Sequence, residues 1–227
     1  TTIAQRLAMR FHSNVASFCH ALEPTPSIVV TRVGQFASAR DFFSLADHEV
    51  AGTRFVANML VSQDEAAALF QAAANRPAGH VVEVGRFSGG TAVLLALGAR
   101  HGGRPGIVSV DQVRLPAVEH FCKVNGVHGE VQLLDGDSLA IAARWGGIQT
   151  QPGISMLFVD ADHTYEGVIR DLDAWLPHVV AGGTIAMHDS TTPDCGVSKA
   201  IYRHTLGRTE FGNFRQVGST VFFERQA

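Results

Sequence analysis

One stretch, residues 81–97, constrains this chain more than any other. Val81-Val82-Glu83-Val84 is a short apolar run that reads as a buried strand. Gly85-Arg86-Phe87-Ser88-Gly89-Gly90 is a glycine-rich turn, and the apolar pattern Thr91–Leu97 reads as a helix that starts at once. Glycines remove the Cβ that would keep a ligand off the backbone, and a helix N-terminus presents free N–H groups. The combination marks a site for a nucleotide-like ligand. It is not the dinucleotide fingerprint, because G-x-G-x-x-G needs a glycine where Phe87 stands. Gly85-x-x-x-Gly89-Gly90 suits a ligand that presents an amino acid and a ribose. For the turn taken alone, an ordinary strand-to-helix connection is the alternative.

The rest of the chain repeats the strand–helix alternation. Strands are expected at His80–Val84, Gly106–Asp111, Glu130–Leu134, Ser155–Asp160 and Thr184–His188. Helices are expected at Thr91–Arg100, Leu115–Asn125, Ser138–Arg144 and Thr164–Val179, with Gly182-Gly183 as the turn into the fifth strand. Ser62-Gln63-Asp64-Glu65 is a capping box opening a helix to about Ala74. Phe214–Val217 and Thr220–Phe223 flank a tight turn at Gly218-Ser219. The expected fold is α/β: a Rossmann-like, doubly wound sheet, mostly parallel with one antiparallel C-terminal strand, and helices on both faces. That domain is placed at residues 61–227. Residues 1–60 read as an N-terminal helical, lid or oligomerisation segment. Within it Ile3–Leu22 has helical spacing, Pro24 and Pro26 follow, and Phe36, Phe42 and Phe43 lie in a stretch that is a loop, a lid or a dimer contact.

Charge and cysteine content remove several function classes. Lys+Arg is 18 and Asp+Glu is 21, a formal net charge of −3, so no basic surface for nucleic acid or membrane is expected. No apolar run reaches the length of a membrane span, and Thr1-Thr2-Ile3 shows no secretion signal. Cys19, Cys122 and Cys195 have no Cys-x-x-Cys spacing, so neither a zinc site nor a disulfide framework is indicated. A cytoplasmic protein fits best. Cys195 lies nearest the expected site.

In an open parallel sheet, ligands bind beyond the carboxyl ends of the strands. Polar residues converge there beside Gly85: Asp111, Asp135 and Asp137, Asp160, and His188-Asp189. A carboxylate at Asp111 can accept from both ribose hydroxyls, of NAD and of S-adenosylmethionine alike. Asp137-Ser138 could meet an adenine amino group and ring nitrogen, or Asp137 could cap the helix at Ser138. Asp160, His188 and Asp189 could meet around one divalent ion such as Mg²⁺ or Mn²⁺. His163 could face the same spot, and an imidazole is a suitable general base for a hydroxyl. The other reading of these polar residues is that they cap, hydrogen-bond and line a polar cleft.

Together, Glu83-Val-Gly85-Arg-Phe-Ser-Gly89-Gly90, Asp111, Asp137-Ser138, Phe158-Val-Asp160-Ala-Asp-His163-Thr-Tyr-Glu166-Gly and Gly182-Gly183-Thr-Ile-Ala-Met-His188-Asp189 resemble class I S-adenosylmethionine-dependent methyltransferases. The closer likeness is to the branch with macrocin- and mycinamicin-type sugar O-methyltransferases and the cephalosporin-associated methyltransferase-like proteins. It covers about residues 62–225. The resemblance implies that Glu83, Gly85 and Ser88 line the methionine part of the cofactor, with Gly89 completing the turn. It puts Asp111 at the ribose and Asp137-Ser138 near adenine. Asp160 and Asp189 match metal-binding carboxylates, with Asp160 also beside the cofactor and in the catalytic pair with the general base His163. Position 188 departs from the pattern: the metal-dependent members carry an acid where this chain has His188. Either a softer ion than Mg²⁺ is used or the site has lost its metal. The implied function is O-methylation of a small-molecule hydroxyl (sugar, polyketide or phenol) in bacterial secondary metabolism such as antibiotic biosynthesis, by a homo-oligomer. An NAD-dependent oxidoreductase and a non-catalytic cofactor-binding module are the competing readings.

Overall fold

A computed structural model describes residues 46–148, 153–192 and 196–227. Ile3–Leu22, Phe36, Phe42, Phe43, Cys19 and Cys195 lie outside the described residues. The first elements are β1 (Ala46–Val50) and β2 (Thr53–Ala57), an antiparallel hairpin. Ala51 and Gly52 link them with φ of 49° and 75°, the left-handed pair that a two-residue hairpin turn of this kind needs. Helix α1 (Gln63–Asn75) opens on the capping box read from the sequence: Ser62 Oγ accepts from Glu65 N, and Glu65 Oε2 accepts from Ser62 N.

Alternation then sets in. It runs β3 (His80–Val84), α2 (Gly90–His101), β4 (Ile107–Asp111), α3 (Pro116–Val124), β5 (Val131–Asp135), α4 (Ser138–Ala142), α5 (Trp145–Ile148), β6 (Ile154–Val159), α6 (Tyr165–Trp175), β7 (Val179–Met187) and α7 (Val197–His204). A final hairpin, β8 (Phe211–Val217) and β9 (Thr220–Arg225), closes the chain. The seven-stranded sheet has the order β5-β4-β3-β6-β7-β9-β8. Pairs from β5 to β7 are parallel, and β9 is antiparallel to both β7 and β8. Thus β9 alone in this sheet runs against the rest, as the sequence reading expects.

Two cores cover the two faces, as alternation along a strand requires. Val81 packs with Leu69, Phe70, Val93 and Phe121 of α1–α3. Val82 and Val84 pack on the other face with Ile141, Trp145, Leu172 and Trp175 of α4–α6. Val50, Phe55 and Ala57 of the first hairpin join the α1–α3 core. Asn125 holds the hairpin there, accepting from Val56 N and donating to Val56 O.

Around β7 the structure differs from the sequence reading. The helix expected to reach Val179 ends at Trp175, and Leu176–His178 forms a 3-10 turn around Pro177, which has no N–H to continue the ladder. Gly182-Gly183 lie inside β7 rather than before it: the strand starts at Val179 and absorbs a register shift, with Gly182 at φ 75°. None of the described helices is long and apolar enough to cross a membrane.

Candidate active site

Backbone hydrogen bonds stitch the strand ends together in sheet order. Gly136 N donates to Asp111 O, Gly85 N to Val110 O, Asp160 N to Val84 O and His188 N to Val159 O. This row brings residues far apart in sequence to one edge, at the point where the chain crosses from β5 back to β6 beside β3. A cleft of about 1030 Å³ opens along it. Its wall includes Gly85, Phe87, Asp111, Asp137, Ser138, Asp160, His163, His188 and Asp189.

The glycine turn is built differently from the sequence expectation. A Cβ on Gly85, whose φ is 94°, would lie 2.0 Å from Asp160 O. A Cβ on Gly90 would lie 1.9 Å from Asn58 O. The close approach that these glycines permit is therefore that of the protein's own backbone, and Gly85 is what lets Asp160 stand beside the turn. Phe87 adopts φ 45° and is exposed at the cleft, while Ser88 is buried with its Oγ donating to Asn58 O. Gly89, at φ 86°, is the N-cap of α2 and packs on Val118.

Glu83 is fully buried beneath the turn and is not part of the cleft wall. Thr91 Oγ1 donates to its Oε1 at 2.5 Å, and Ser109 Oγ donates to Oε2. Burial pushes its pKa up to about 7, against the pull of those hydroxyls and of Arg86. Its place on β3 points it at α2 rather than at the cleft, so it supports the turn from below.

Asp111 does face the cleft, but its oxygens hold the turn. Oδ2 accepts from Arg86 N and Phe87 N at 2.9 Å each, and Oδ1 from Val113 N at 3.1 Å. Asp137 caps α4 by accepting from Ala140 N. Ser138 Oγ donates to Asp171 Oδ1 and accepts from Trp175 Nε1, both at 2.8 Å. Burial raises the pKa of Asp171, which also lines the cleft. Asp171 was not singled out in the sequence, because an acid within an amphipathic helix pattern looks like a solvated residue. Arg86, in the glycine-rich turn, was also missed. Its guanidinium is buried under β4, donating to Ser109 O and to Asp135 Oδ1, and it ties three strand ends together.

The polar cluster expected at β6 and β7 does form. His163 Nε2 lies 3.2 Å from Asp160 Oδ1 and 3.4 Å from Asp189 Oδ2. His188 Nδ1 lies 3.2 Å from Asp160 Oδ1, and its Nε2 lies 3.5 Å from Glu65 Oε1. The hydrogen bond to Asp160, reinforced by Asp189, raises the pKa of His163 against its partial burial. Burial would lower His188, but Asp160 and Glu65 override it and push its pKa up to about 10. Burial likewise opposes the charge on Asp160 and Glu65, yet contacts with the histidines and, for Glu65, with Ser62 and Ser219 hold both below their usual values. Glu65 had no sequence signal beyond its capping role.

A divalent ion was expected on Asp160, His188 and Asp189. His188 turns Nδ1 toward Asp160 and Asp189 and Nε2 toward Glu65. The described group whose donor atoms all lie within 4.8 Å is instead Asp160, His163 and Asp189. An ion held there through His163 Nε2 would take the atom that contacts Asp160, leaving His163 unable to serve as a base. Two of the three expected ligands, Asp160 and Asp189, thus belong to a group that could hold a divalent ion, with His163 in place of His188.

Sheet order, cleft and strand-end residues define the class: the fold is that of class I, S-adenosylmethionine-dependent methyltransferases. Residues 82–190 match the family model for a methyltransferase domain. Solved structures share the fold at low identity. An O-methyltransferase from Bacillus cereus in complex with SAH is 16% identical, with a TM-score of 0.61, covering 73% of this chain and 82% of that one. The O-methyltransferase TomG from Streptomyces achromogenes, involved in tomaymycin synthesis and solved with SAM, is 19% identical with a TM-score of 0.61, covering 75% and 83%. A TDP-rhamnose 3′-O-methyltransferase of calicheamicin biosynthesis is 20% identical with a TM-score of 0.56, covering 70% and 76%.

Proposed function

We propose that this protein transfers the methyl group of S-adenosylmethionine to a hydroxyl of a small-molecule acceptor, a sugar, polyketide or phenol. The observation that carries the reading is His163 paired with Asp160 and Asp189 at one end of the cleft that begins at Gly85. In this reading the cofactor's methionine end lies along Gly85 and Phe87, its ribose near Asp111 and its adenine toward Asp137, Ser138 and Asp171. The acceptor hydroxyl enters beside His163. Its oxygen attacks the sulfonium methyl carbon, the carbon–sulfur bond breaks, and S-adenosylhomocysteine leaves as a neutral thioether. The hydroxyl proton passes to the neutral ring of His163, whose new positive charge Asp160 and Asp189 offset. Alignment and exclusion of water supply most of the acceleration. The same reading extends to a homo-oligomer acting in the cytoplasm in bacterial secondary metabolism. The two biosynthetic neighbours support that setting by analogy.

The test is methyl transfer from labelled S-adenosylmethionine to a panel of sugars, polyketides and phenols. A product on oxygen is expected; binding of NAD without binding of S-adenosylmethionine would sink the reading. With an acceptor in hand, His163→Ala should lower kcat by about 10²–10⁴-fold and leave cofactor affinity unchanged. Wild-type kcat in that variant would remove His163 as the base.

A further inference from the structure

The sheet has a second edge, where its parallel strands begin. His80 starts β3, Ile107 starts β4 and Val131 starts β5, and a cleft of about 730 Å³ opens beside them. Arg76, Arg104, Gly106, Gly129 and Glu130 are in its wall. None of these residues belongs to the active-site cleft, which lies at the other end of the same strands.

Two arginines give this cleft its character. Arg76, just after α1, is 4% exposed. Its Nη2 donates to Arg104 O at 2.7 Å and its Nη1 to Ala73 O at 3.3 Å, while its Nε has no partner. Arg104, after α2, is exposed and returns the contact by donating Nη1 to Arg76 O. Among the described residues neither guanidinium has a carboxylate partner. Glu130 is the one acid among the described residues of the wall, and Arg100 Nε already takes both of its oxygens, at 3.0 and 3.1 Å.

Burial and the like charge of Arg104 both lower the pKa of Arg76. Carbonyl contacts do not neutralise a cation, and burying a charge without its opposite is costly. Arg86 is equally buried, but its guanidinium has Asp135 Oδ1 at 2.6 Å. Two neighbouring cations without an acid match one dianionic group, and phosphate carries nearly two negative charges at neutral pH. There is room for it: a Cβ added at Gly106 or Gly129 would meet nothing within 4 Å.

We propose that this second cleft binds a phosphate group, free or carried by a small molecule, with Arg76 and Arg104 supplying the opposite charge. The planar fork of a guanidinium matches phosphate oxygens. The site is separate from the methyl-transfer reading and stands or falls without it.

The experiment titrates inorganic phosphate into the wild-type protein at low ionic strength and follows backbone amides by ¹H–¹⁵N NMR. Saturable shifts are expected at Arg104, Gly106 and Gly129, and none at Gly85 or Asp111. Absence of saturation, or shifts confined to the Gly85 cleft, would overturn the proposal. Acetate, with a single charge, should bind at least about tenfold more weakly, and equal affinity would remove phosphate as the ligand. Phenyl phosphate separates the two sources. Tighter binding than inorganic phosphate assigns the site to a phosphorylated small molecule, and weaker binding assigns it to the free ion. Arg104→Gln, at an exposed position and checked by circular dichroism, should weaken phosphate binding at least about tenfold, while Arg54→Gln on the first hairpin should leave it unchanged. Equal losses in the two variants would reduce the effect to general charge attraction and end the proposal. The wild-type map decides the matter even where a variant fails to fold.

Discussion

Glu83 and Asp160 occupy neighbouring strands at the same sheet edge, yet their surroundings drive them in opposite directions. Glu83 is fully buried, and burial outweighs the hydroxyls of Ser109 and Thr91 and the charge of Arg86, so its pKa rises to about 7 from an ordinary 4.5. Between those values the folded protein keeps a proton that the unfolded chain has lost. Glu83 therefore contributes less stability as pH rises from 4.5 through 7. Urea denaturation at pH 5 and pH 8 should show Glu83→Gln losing less stability than wild type across that interval; equal losses would mean that Glu83 is already ionised at pH 5. Asp160 meets two imidazoles, which outweigh its burial and keep it charged. Its partner His163 is raised above 6.5 and must be neutral to act as a base. With an acceptor available, kcat should rise with pH and reach its plateau only above the raised pKa of His163. A profile already flat below pH 6.5 would contradict that assignment.

At the scale of elements, the turn after β3 is a junction of backbones. Gly85 and Gly90 are glycines because Asp160 and Asn58 stand where a Cβ would go. Gly85→Ala should abolish cofactor binding and lower the melting temperature together, since both the clash and the positive φ oppose it; a variant with wild-type melting and binding would show that the contact relaxes freely. Beyond its apolar packing, the first hairpin is held by one side chain, Asn125. Asn125→Ala removes the partner of both polar groups of Val56 and should cost about 1–3 kcal/mol in urea unfolding. Most elements were legible in the sequence because their local cues agree: apolar periodicity, the Ser62–Glu65 box and the Gly218-Ser219 turn. The hairpin at residues 46–57 was not legible, because its strands are short and its apolar residues, Val50, Phe55 and Ala57, find their partners on α1–α3.

For the whole molecule, the decisive property is the single edge on which five strands end. A ligand that fills the cleft there should stabilise the folded state by about 2.7 kcal/mol at a hundredfold excess over its Kd. S-adenosylmethionine is expected to raise the melting temperature in a thermal-shift assay and NAD to leave it unchanged. The candidate site was legible as a set of residues, because several strand candidates end in, or are followed by, a polar residue. Its roles were only partly legible. Asp160, His163 and Asp189 do meet, but Glu83 and Ser88 are buried below the cleft, and Asp111 and Asp137 spend hydrogen bonds on the backbone around it.

Residue order and local chemistry were enough to determine the α/β alternation, the sheet edge that carries the site and the methyltransferase likeness, because these follow from periodicity and motif spacing within short windows. The tertiary structure alone decided what each carboxylate does. Glu65 meets Ser219, 154 positions away, and His188 on another strand. No local pattern encodes that meeting. It depends on α1, β7 and the β8–β9 turn packing together, and that packing sets His188 between Glu65 and Asp160.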